Sequence, residues 1–125
     1  MIFKNNKIIL SFLLLLNTEL CFSNQVNLIC KNIDDDSIHK FIISSHYKVK
    51  NILPNGYEFD YIIEKESEKL LVAYFFQKNH GIIKKFTLTF NFEDNILYDE
   101  MYEGNTPEDL ILKDKKTFEC KNDKR

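Results

Sequence analysis

The apolar and polar positions of this chain alternate with a period of two through much of residues 24–125. The alternation is clearest in residues 86–92, where leucine and phenylalanine side chains alternate with threonine and asparagine. Similar patterns occupy residues 26–31, 57–63 and 117–121. A period of two places one face of a strand in a core and the other in solvent, so each of these segments predicts a β-strand.

Polar turns separate these segments and indicate further strands between them. Residues 32–37 (Asn-Ile-Asp-Asp-Asp-Ser) and the Pro-Asn-Gly run at 54–56 carry turn chemistry, because proline sets one φ and Asn-Gly tolerates positive φ. Residues 39–43 and 47–52 are predicted strands of weaker pattern, and residues 93–95 make a tight connection to a further segment at 96–102. Many short strands with scarcely any helix predict an all-β fold, a small antiparallel β-sandwich or barrel-like meander of about seven or eight strands.

Two segments bear on the helix content. Residues 70–76 are apolar throughout, which is typical of a strand buried on both faces. Good helix formers at the start of this segment leave a helix over residues 67–79, capped by Gly81, as the alternative to the strand that we favour. The Thr-Pro-Glu-Asp run at 106–109 carries a helix start signal and predicts a helical turn or two.

The first 23 residues differ from the rest and predict a cleavable secretory signal peptide. Lys4 and Lys7 precede a short apolar run over residues 8–16, and Cys21 and Ser23 are small residues placed before a cut. A membrane span needs about 20 apolar residues, so this run is too short for one. We therefore expect a mature chain that begins near residue 24.

Export defines the expected organisation and location of the protein. The signal peptide covers residues 1–23, and residues 24–125 form a single β-rich domain that is secreted or periplasmic and has no stable membrane span in its mature form. Loss of the leader changes the formal charge from −2 to −3. A mild acidic excess argues against nucleic acid as a partner, because its phosphates attract a basic face.

The cysteines predict one disulfide bond. Cys21 leaves with the leader, where Leu20 before it argues against a lipidated cysteine, and Cys30 and Cys120 remain. Two cysteines in an oxidising compartment most simply form a disulfide, although two unpaired buried thiols are the alternative. The bond requires Cα atoms within about 7 Å, so the first and last strands should be neighbours or face each other across the core.

The candidates for metal or catalytic chemistry are weak. The chain has three histidines, His39, His46 and His80. None has metal-ligand spacing to another histidine or cysteine, so we expect solvated positions. The acidic turn 32–37 is similar to the first half of a calcium loop, but Ser37 stands where glycine is needed and Ile43 where the bidentate glutamate belongs. We predict no catalytic residue, no metal site and no cofactor.

Aromatic residues suggest where a partner could bind. Tyr98 and Tyr102 flank an acidic stretch that includes Glu100 and leads into residues 103–105, and we interpret it as an acidic, tyrosine-bearing loop. Tyrosine offers a rigid ring with a polar tip, so Tyr98, Glu100 and Tyr102 form a candidate contact surface, although ordinary half-buried strand tyrosines would show the same pattern.

These observations predict a non-catalytic binding or interaction module. Its partner would be a protein or a small-molecule ligand that is not identified by the sequence, bound through the loops of the domain. A structural or envelope-associated assembly subunit is the alternative, and an enzyme is the third choice. An aromatic-lined opening would favour ligand binding, whereas a large exposed apolar patch would favour assembly.

The placement of one cysteine near each end of a small exported β domain resembles that of the periplasmic inhibitors of c-type lysozyme. The resemblance rests on Leu28-Ile29-Cys30 and Phe118-Glu119-Cys120. No Ser-Gly-rich inhibitory loop accompanies these residues. The resemblance therefore implies no inhibitory residue and no family membership, since a shared layout does not carry function.

Overall fold

Eight antiparallel strands form one closed barrel in the computed structural model, which describes residues 25–44 and 48–123. The strands are β1 (Val26–Asn32), β2 (Ile38–Ser44), β3 (Lys48–Ile52), β4 (Glu58–Glu66), β5 (Leu70–Asn79), β6 (Ile82–Asn91), β7 (Ile96–Gly104) and β8 (Ile111–Asn122). Each strand pairs with the next along the chain, and β8 returns to pair with β1. The all-β prediction is confirmed in its barrel form.

The segment with a helical alternative is a strand. A turn at 67–69 leads into β5, which pairs with β6 over its whole length from Leu70↔Asn91 to Asn79↔Ile82. The expectation that this strand is buried on both faces is wrong, because Phe76 is exposed on the outer face while Leu71 and Ala73 are buried on the inner one. A barrel wall has one face towards solvent, so half of an apolar run must lie outside.

The start signal at Thr106 produces one 3-10 turn, Pro107–Asp109, between β7 and β8. Thr106 has extended backbone angles and its side chain makes no capping hydrogen bond. The short helix predicted here is therefore limited to a single turn. Within the two described ranges there is no helix long and apolar enough to cross a membrane. The predicted signal peptide lies outside the described residues.

The core consists of inward-facing side chains from every strand. They are Leu28, Cys30, Phe41, Ile43, Val49, Tyr61, Leu71, Ala73, Leu88, Phe90, Leu97 and Phe118. Phe41 packs edge-to-face against Phe90 at 5.5 Å and against Phe118 at 6.4 Å between ring centroids. Such contacts add to the free energy of burial, so these rings anchor the middle of the barrel.

The disulfide joins the two strands that close the barrel. Cys30 on β1 and Cys120 on β8 are directly opposite in the strand register, and their Cα atoms are 4.0 Å apart. The predicted pairing of these cysteines is confirmed, as is the prediction that the first and last strands are neighbours. The bond links residues 90 positions apart in the chain.

The barrel wall is split on one side. β4 and β5 pair only from Ile62↔Tyr74 to Glu66↔Leu71, with a register shift between Ile63 and Lys65. Beyond Ile62, the start of β4 pairs with β3 alone, whereas the end of β5 pairs with β6. The two strands therefore separate at this end of the barrel, where the interior becomes accessible from solvent.

Candidate functional site

The split end of the barrel contains a cavity of about 270 Å³, which we call the lumen mouth. It is lined by His39, Asn51, Leu53, Phe59, Tyr61, Phe75, Gln77, Phe86, Asp99, Met101, Asp114 and Lys116. These residues continue the inward-facing alternation of the core: Asp99 follows Leu97 on β7, and Phe86 precedes Leu88 on β6. The cavity is thus the unfilled end of the barrel interior.

Three phenylalanine rings form an aromatic wall on one side of the lumen mouth. Phe75 stacks on Phe86 at 4.7 Å and faces Phe59 in parallel at 6.0 Å across the split between β4 and β5. Tyr61 meets the edge of Phe75 at 4.8 Å. Phe59 remains 39% exposed, so part of this wall is available to a ligand from solvent.

A buried amide connects the neutral polar groups of the lumen mouth. The Asn51 side chain is buried, and its Oδ1 lies 3.4 Å from Nδ1 of His39. Burial lowers the pKa of His39 below its ordinary value, against the opposing effect of Asn51. Burial also raises the pKa of Tyr61, and the nearby charge of Asp99 raises it further. Both side chains are therefore neutral at pH 7 and can take part in hydrogen bonds.

The charged groups of the lumen mouth are unevenly paired. Lys116 Nζ lies 3.4 Å from Asp114 Oδ2, and both side chains are about half-exposed. Asp99 makes no hydrogen bond or ion pair with the described residues. Burial raises the pKa of Asp99 to about 6, with Lys116 opposing and Asp114 and Glu100 adding to the shift. Asp99 is therefore the poorly solvated, unpaired charge of the cavity.

Two wider depressions exist on the described surface. One of about 650 Å³ lies at the opposite end of the barrel beside Leu28 and Cys120, and one of about 560 Å³ lies beside Gly104 and the 3-10 turn. Neither brings several aromatic rings together with a half-buried carboxylate such as Asp99. We place the candidate site at the lumen mouth because specificity depends on converging groups more than on volume.

The predicted contact surface lies elsewhere, on the outer face of β7. The Tyr102 hydroxyl donates to Glu100 Oε1 at 3.1 Å, and Lys115 Nζ lies 3.8 Å from Glu100 Oε2 and 4.7 Å from the ring centre of Tyr98. The structure thus brings the three predicted residues together, on a strand instead of the loop that the sequence indicated. Their role in binding a partner stays a prediction.

The acidic turn after β1 has a structural explanation. Asn32 Oδ1 accepts hydrogen bonds from the backbone N–H groups of Asp34 and Asp35, and Asp35 Oδ1 accepts one from Ser37 N–H. Asp36 has a φ of 64°, as a tight turn requires. Among the residues that the structure describes, no group of three or more histidine, cysteine or carboxylate side chains could hold a metal ion.

Sequence reasoning missed the residues of the lumen mouth. His39 was expected to be solvated, but it is half-buried because it shares the inner face of β2 with Phe41. His80 is exposed in the turn between β5 and β6, as expected, and His46 lies outside the described residues. The sequence did contain a pattern that could have identified Asp99. This residue lies two residues from both Leu97 and Met101, so all three side chains must be on the same face of a strand.

Comparison with protein-family models, with curated proteins and with solved structures finds no match. The geometry of this chain is therefore the basis on which its function is inferred. A concave site with stacked rings, neutral hydrogen-bonding groups and one unpaired carboxylate can bind a small molecule that has an apolar body and a polar end.

Proposed function

We propose that this protein is an exported binding protein that holds a small ligand in the lumen mouth of its barrel without transforming it. The observation that carries the proposal is the convergence of an aromatic wall and the unpaired Asp99 carboxylate in one cavity. Burying a polar group without a partner costs free energy, and a ligand that supplies the missing partner recovers part of that cost.

The size of the cavity supports a ligand of few atoms. Its volume of about 270 Å³ is slightly below the range of roughly 300–1,000 Å³ that is usual for drug-sized ligands. A barrel of eight strands is just wide enough to be filled by side chains or to hold one small ligand. Here the core fills the middle of the barrel and leaves room at one end.

The disulfide supports the proposed location. Disulfide bonds persist in oxidising compartments and are rare in a reducing cytoplasm. Cys30 is fully buried and forms this bond with Cys120, so an oxidising compartment would add a covalent link to the strand pairing that closes the barrel. This is consistent with the export that the predicted signal peptide implies, to the periplasm or to the outside of the cell.

Binding without catalysis is the simpler proposal because the groups that could act as acid or base, Asp99 apart, have other partners. Lys116 pairs with Asp114, and His39 contacts the amide of Asn51. Asp99 is near Lys116 and Tyr61, and no serine, threonine or cysteine is among the described residues that line the cavity. A catalytic site would need such a nucleophile or a bound reactant in contact with its base.

The test is a screen of small fragments against the ¹⁵N-labelled protein by two-dimensional NMR. We expect hits that shift the backbone resonances of Phe59, Phe75 and Phe86 together. Phe59→Ala should weaken these hits about fivefold or more, because it removes a ring from the wall. Ile62→Ala is the matched control on the outer face of the same strand, where the side chain is 56% exposed, and it should leave the hits unchanged.

Two results would contradict a ligand site at the lumen mouth. One is that no fragment in a diverse library shifts resonances of the aromatic wall. The other is that Phe59→Ala and Ile62→Ala reduce binding equally, which would place the hits outside the cavity.

The outer face of the barrel favours an assembly subunit as a second candidate. Ile62 and Phe76 are 56% and 49% exposed on this face. Tyr74 lies beside them, with Lys85 Nζ 5.4 Å from the centre of its ring. Sedimentation velocity over a wide range of protein concentration tests whether the protein assembles. A subunit that assembles with its own copies through such a patch should sediment faster as its concentration rises.

A further inference from the structure

We propose that the ligand of the lumen mouth is a small organic cation, a protonated or quaternary amine on an apolar body, and that Asp99 is its counter-ion. This inference rests on the proposed function, because it names the chemical class of the ligand for the same cavity. Three observations carry it: the charge balance of the cavity, the position of the aromatic rings, and the pairing of the one lysine.

The charge balance of the lumen mouth is negative. Asp99 and Asp114 contribute two carboxylates, Lys116 contributes one ammonium group, and His39 is kept neutral by burial. Lys116 lies 3.4 Å from Asp114 and also acts on Asp99 from further away, so one ammonium group faces two carboxylates and the cavity has a net negative charge when Asp99 is ionised. A cationic ligand would supply the opposite charge in a site where solvent screening is weak.

The aromatic wall suits the same ligand. The faces of aromatic rings are negative, so they attract a cation within about 6 Å of the ring centre. Phe75 and Phe86 stack beside the cavity and Phe59 faces Phe75 from across the split. An amine could therefore rest its apolar body against the rings while its charged end reaches Asp99.

Lys116 makes an anionic ligand less favourable. An anion would have to compete with Asp114 for the ammonium group, and it would bring a negative charge close to Asp99. The cost of placing like charges together in a desolvated cavity exceeds the gain of contacting a lysine that is already paired. A neutral ligand avoids this cost but leaves Asp99 without a partner.

Amine binding should depend on pH because Asp99 titrates beside other titratable groups of the lumen mouth. They are Asp114 and Lys116 on β8 and Tyr61 on β4, with Glu100 next to it on β7. Asp99 must be ionised to act as a counter-ion, and its pKa is about 6. Amine binding should therefore strengthen as the pH rises through that value. Neutral analogues should show no such dependence.

The experiment compares three probes that share one phenyl body: 2-phenylethylamine, 2-phenylethanol and 3-phenylpropionate. Binding to the disulfide-bonded protein is measured by NMR titration at neutral pH. We expect the amine to bind at least about tenfold more tightly than the alcohol, as one charged hydrogen bond implies, and the carboxylate to bind most weakly.

Asp99→Asn is the matched test of the counter-ion. It should bring the affinities of the amine and the alcohol to within about twofold of each other, because it removes the charge and keeps the shape of the side chain. Glu100→Gln is the control, since it removes a carboxylate from the outer face of the same strand and should preserve the preference for the amine. Circular dichroism of each variant verifies the fold.

The outcomes separate the ligand class from the proposed function. If amine and alcohol shift the lumen resonances with equal affinity, or if the carboxylate binds best, the inference fails while the cavity remains a binding site. The inference also fails if Asp99→Asn keeps the preference for the amine. If none of these probes and no other fragment shifts those resonances, both the inference and the proposed function are wrong.

Discussion

Asp99 occupies a position on β7 that the alternation of the strand assigns to the barrel interior. Its neighbours on the same face, Leu97 and Met101, are apolar, and Leu97 is fully buried. A carboxylate at such a position loses hydration, and here no hydrogen bond from the described residues replaces it. Asp99 thus places a charged group on the apolar inner face of β7, at a cost in stability.

That cost gives a pH dependence of stability with a definite sign. Folded Asp99 keeps its proton up to about pH 6, whereas the ordinary pKa of its carboxyl group is 3.8. Between these values the folded state binds more protons than the unfolded state, so the contribution of Asp99 to the free energy of unfolding falls as the pH rises through this window. Above about pH 6 the charged carboxylate destabilises the barrel.

Asp99→Asn is therefore expected to stabilise the protein at neutral pH. We expect a gain of about 1–3 kcal/mol at pH 7 and a flatter dependence of stability on pH between about 4 and 7. Urea unfolding at several pH values measures both effects. Glu100→Gln is the control, because it removes a carboxylate from the outer face. A variant less stable than the parent at pH 7 would contradict this account of Asp99.

At the scale of elements, the connection between β7 and β8 depends on one glycine. A Cβ atom added to Gly104 would collide with the backbone carbonyl oxygen of Asp109, at the end of the 3-10 turn. The close approach fixes how the chain returns from β7 into β8. The same two strands shift register between Met101 and Tyr102, so the bend of this hairpin is set by both features.

Gly104→Ala is expected to destabilise the barrel by about 1–3 kcal/mol, because backbone atoms must move to admit the methyl group. Asn105→Ala is the control at the neighbouring exposed position and should change stability by less than about 0.5 kcal/mol. Urea unfolding measures both values. Equal stability of the two variants would show that the turn adjusts without cost.

Strand pairing also explains which element predictions succeeded. The alternation in residues 86–92 was strong enough to identify the inner face of β6, since Leu88 and Phe90 are buried as expected. The uninterrupted apolar run of β5 lacked that information, and only pairing with β6 along its full length decides that Leu71 faces the core and Phe76 faces solvent. Local propensity could not exclude a helix there, because Glu68, Lys69, Leu70 and Leu71 at the start of the segment favour helices.

At the scale of the whole molecule, the disulfide holds the seam of the barrel. Cys30 and Cys120 lie on the first and last strands, so the bond joins the ends of a chain whose other strand contacts are between sequence neighbours. Closing the seam requires pairing across nearly the whole domain, and that pairing carries the largest loss of chain entropy. The disulfide removes much of this entropy from the unfolded state.

The double variant Cys30→Ala/Cys120→Ala should lose about 4–5 kcal/mol of stability, the value that the chain-entropy model assigns to a loop of this length. Against a usual total of about 5–15 kcal/mol, this loss would leave the domain marginally stable. Urea unfolding measures the change, and the parent protein in reductant should show a similar decrease. A loss below about 1 kcal/mol in both would mean that strand pairing alone holds the seam.

The amino-acid sequence by itself determined the fold class, most strand positions and the disulfide of this protein. These properties follow from local alternation and from the number of cysteines, which require no knowledge of neighbouring strands. It also identified Tyr98, Glu100 and Tyr102 as a group, although it indicated a loop where the structure has a strand.

Only the tertiary structure decided where a ligand could bind. Whether an inward side chain such as Asp99 or Phe75 meets a packed core or an open cavity depends on how far adjacent strands pair and on the radius of the closed barrel. Those quantities arise when all eight strands assemble. Periodicity assigns a residue to a face, but the volume left in front of that face is a property of the whole barrel.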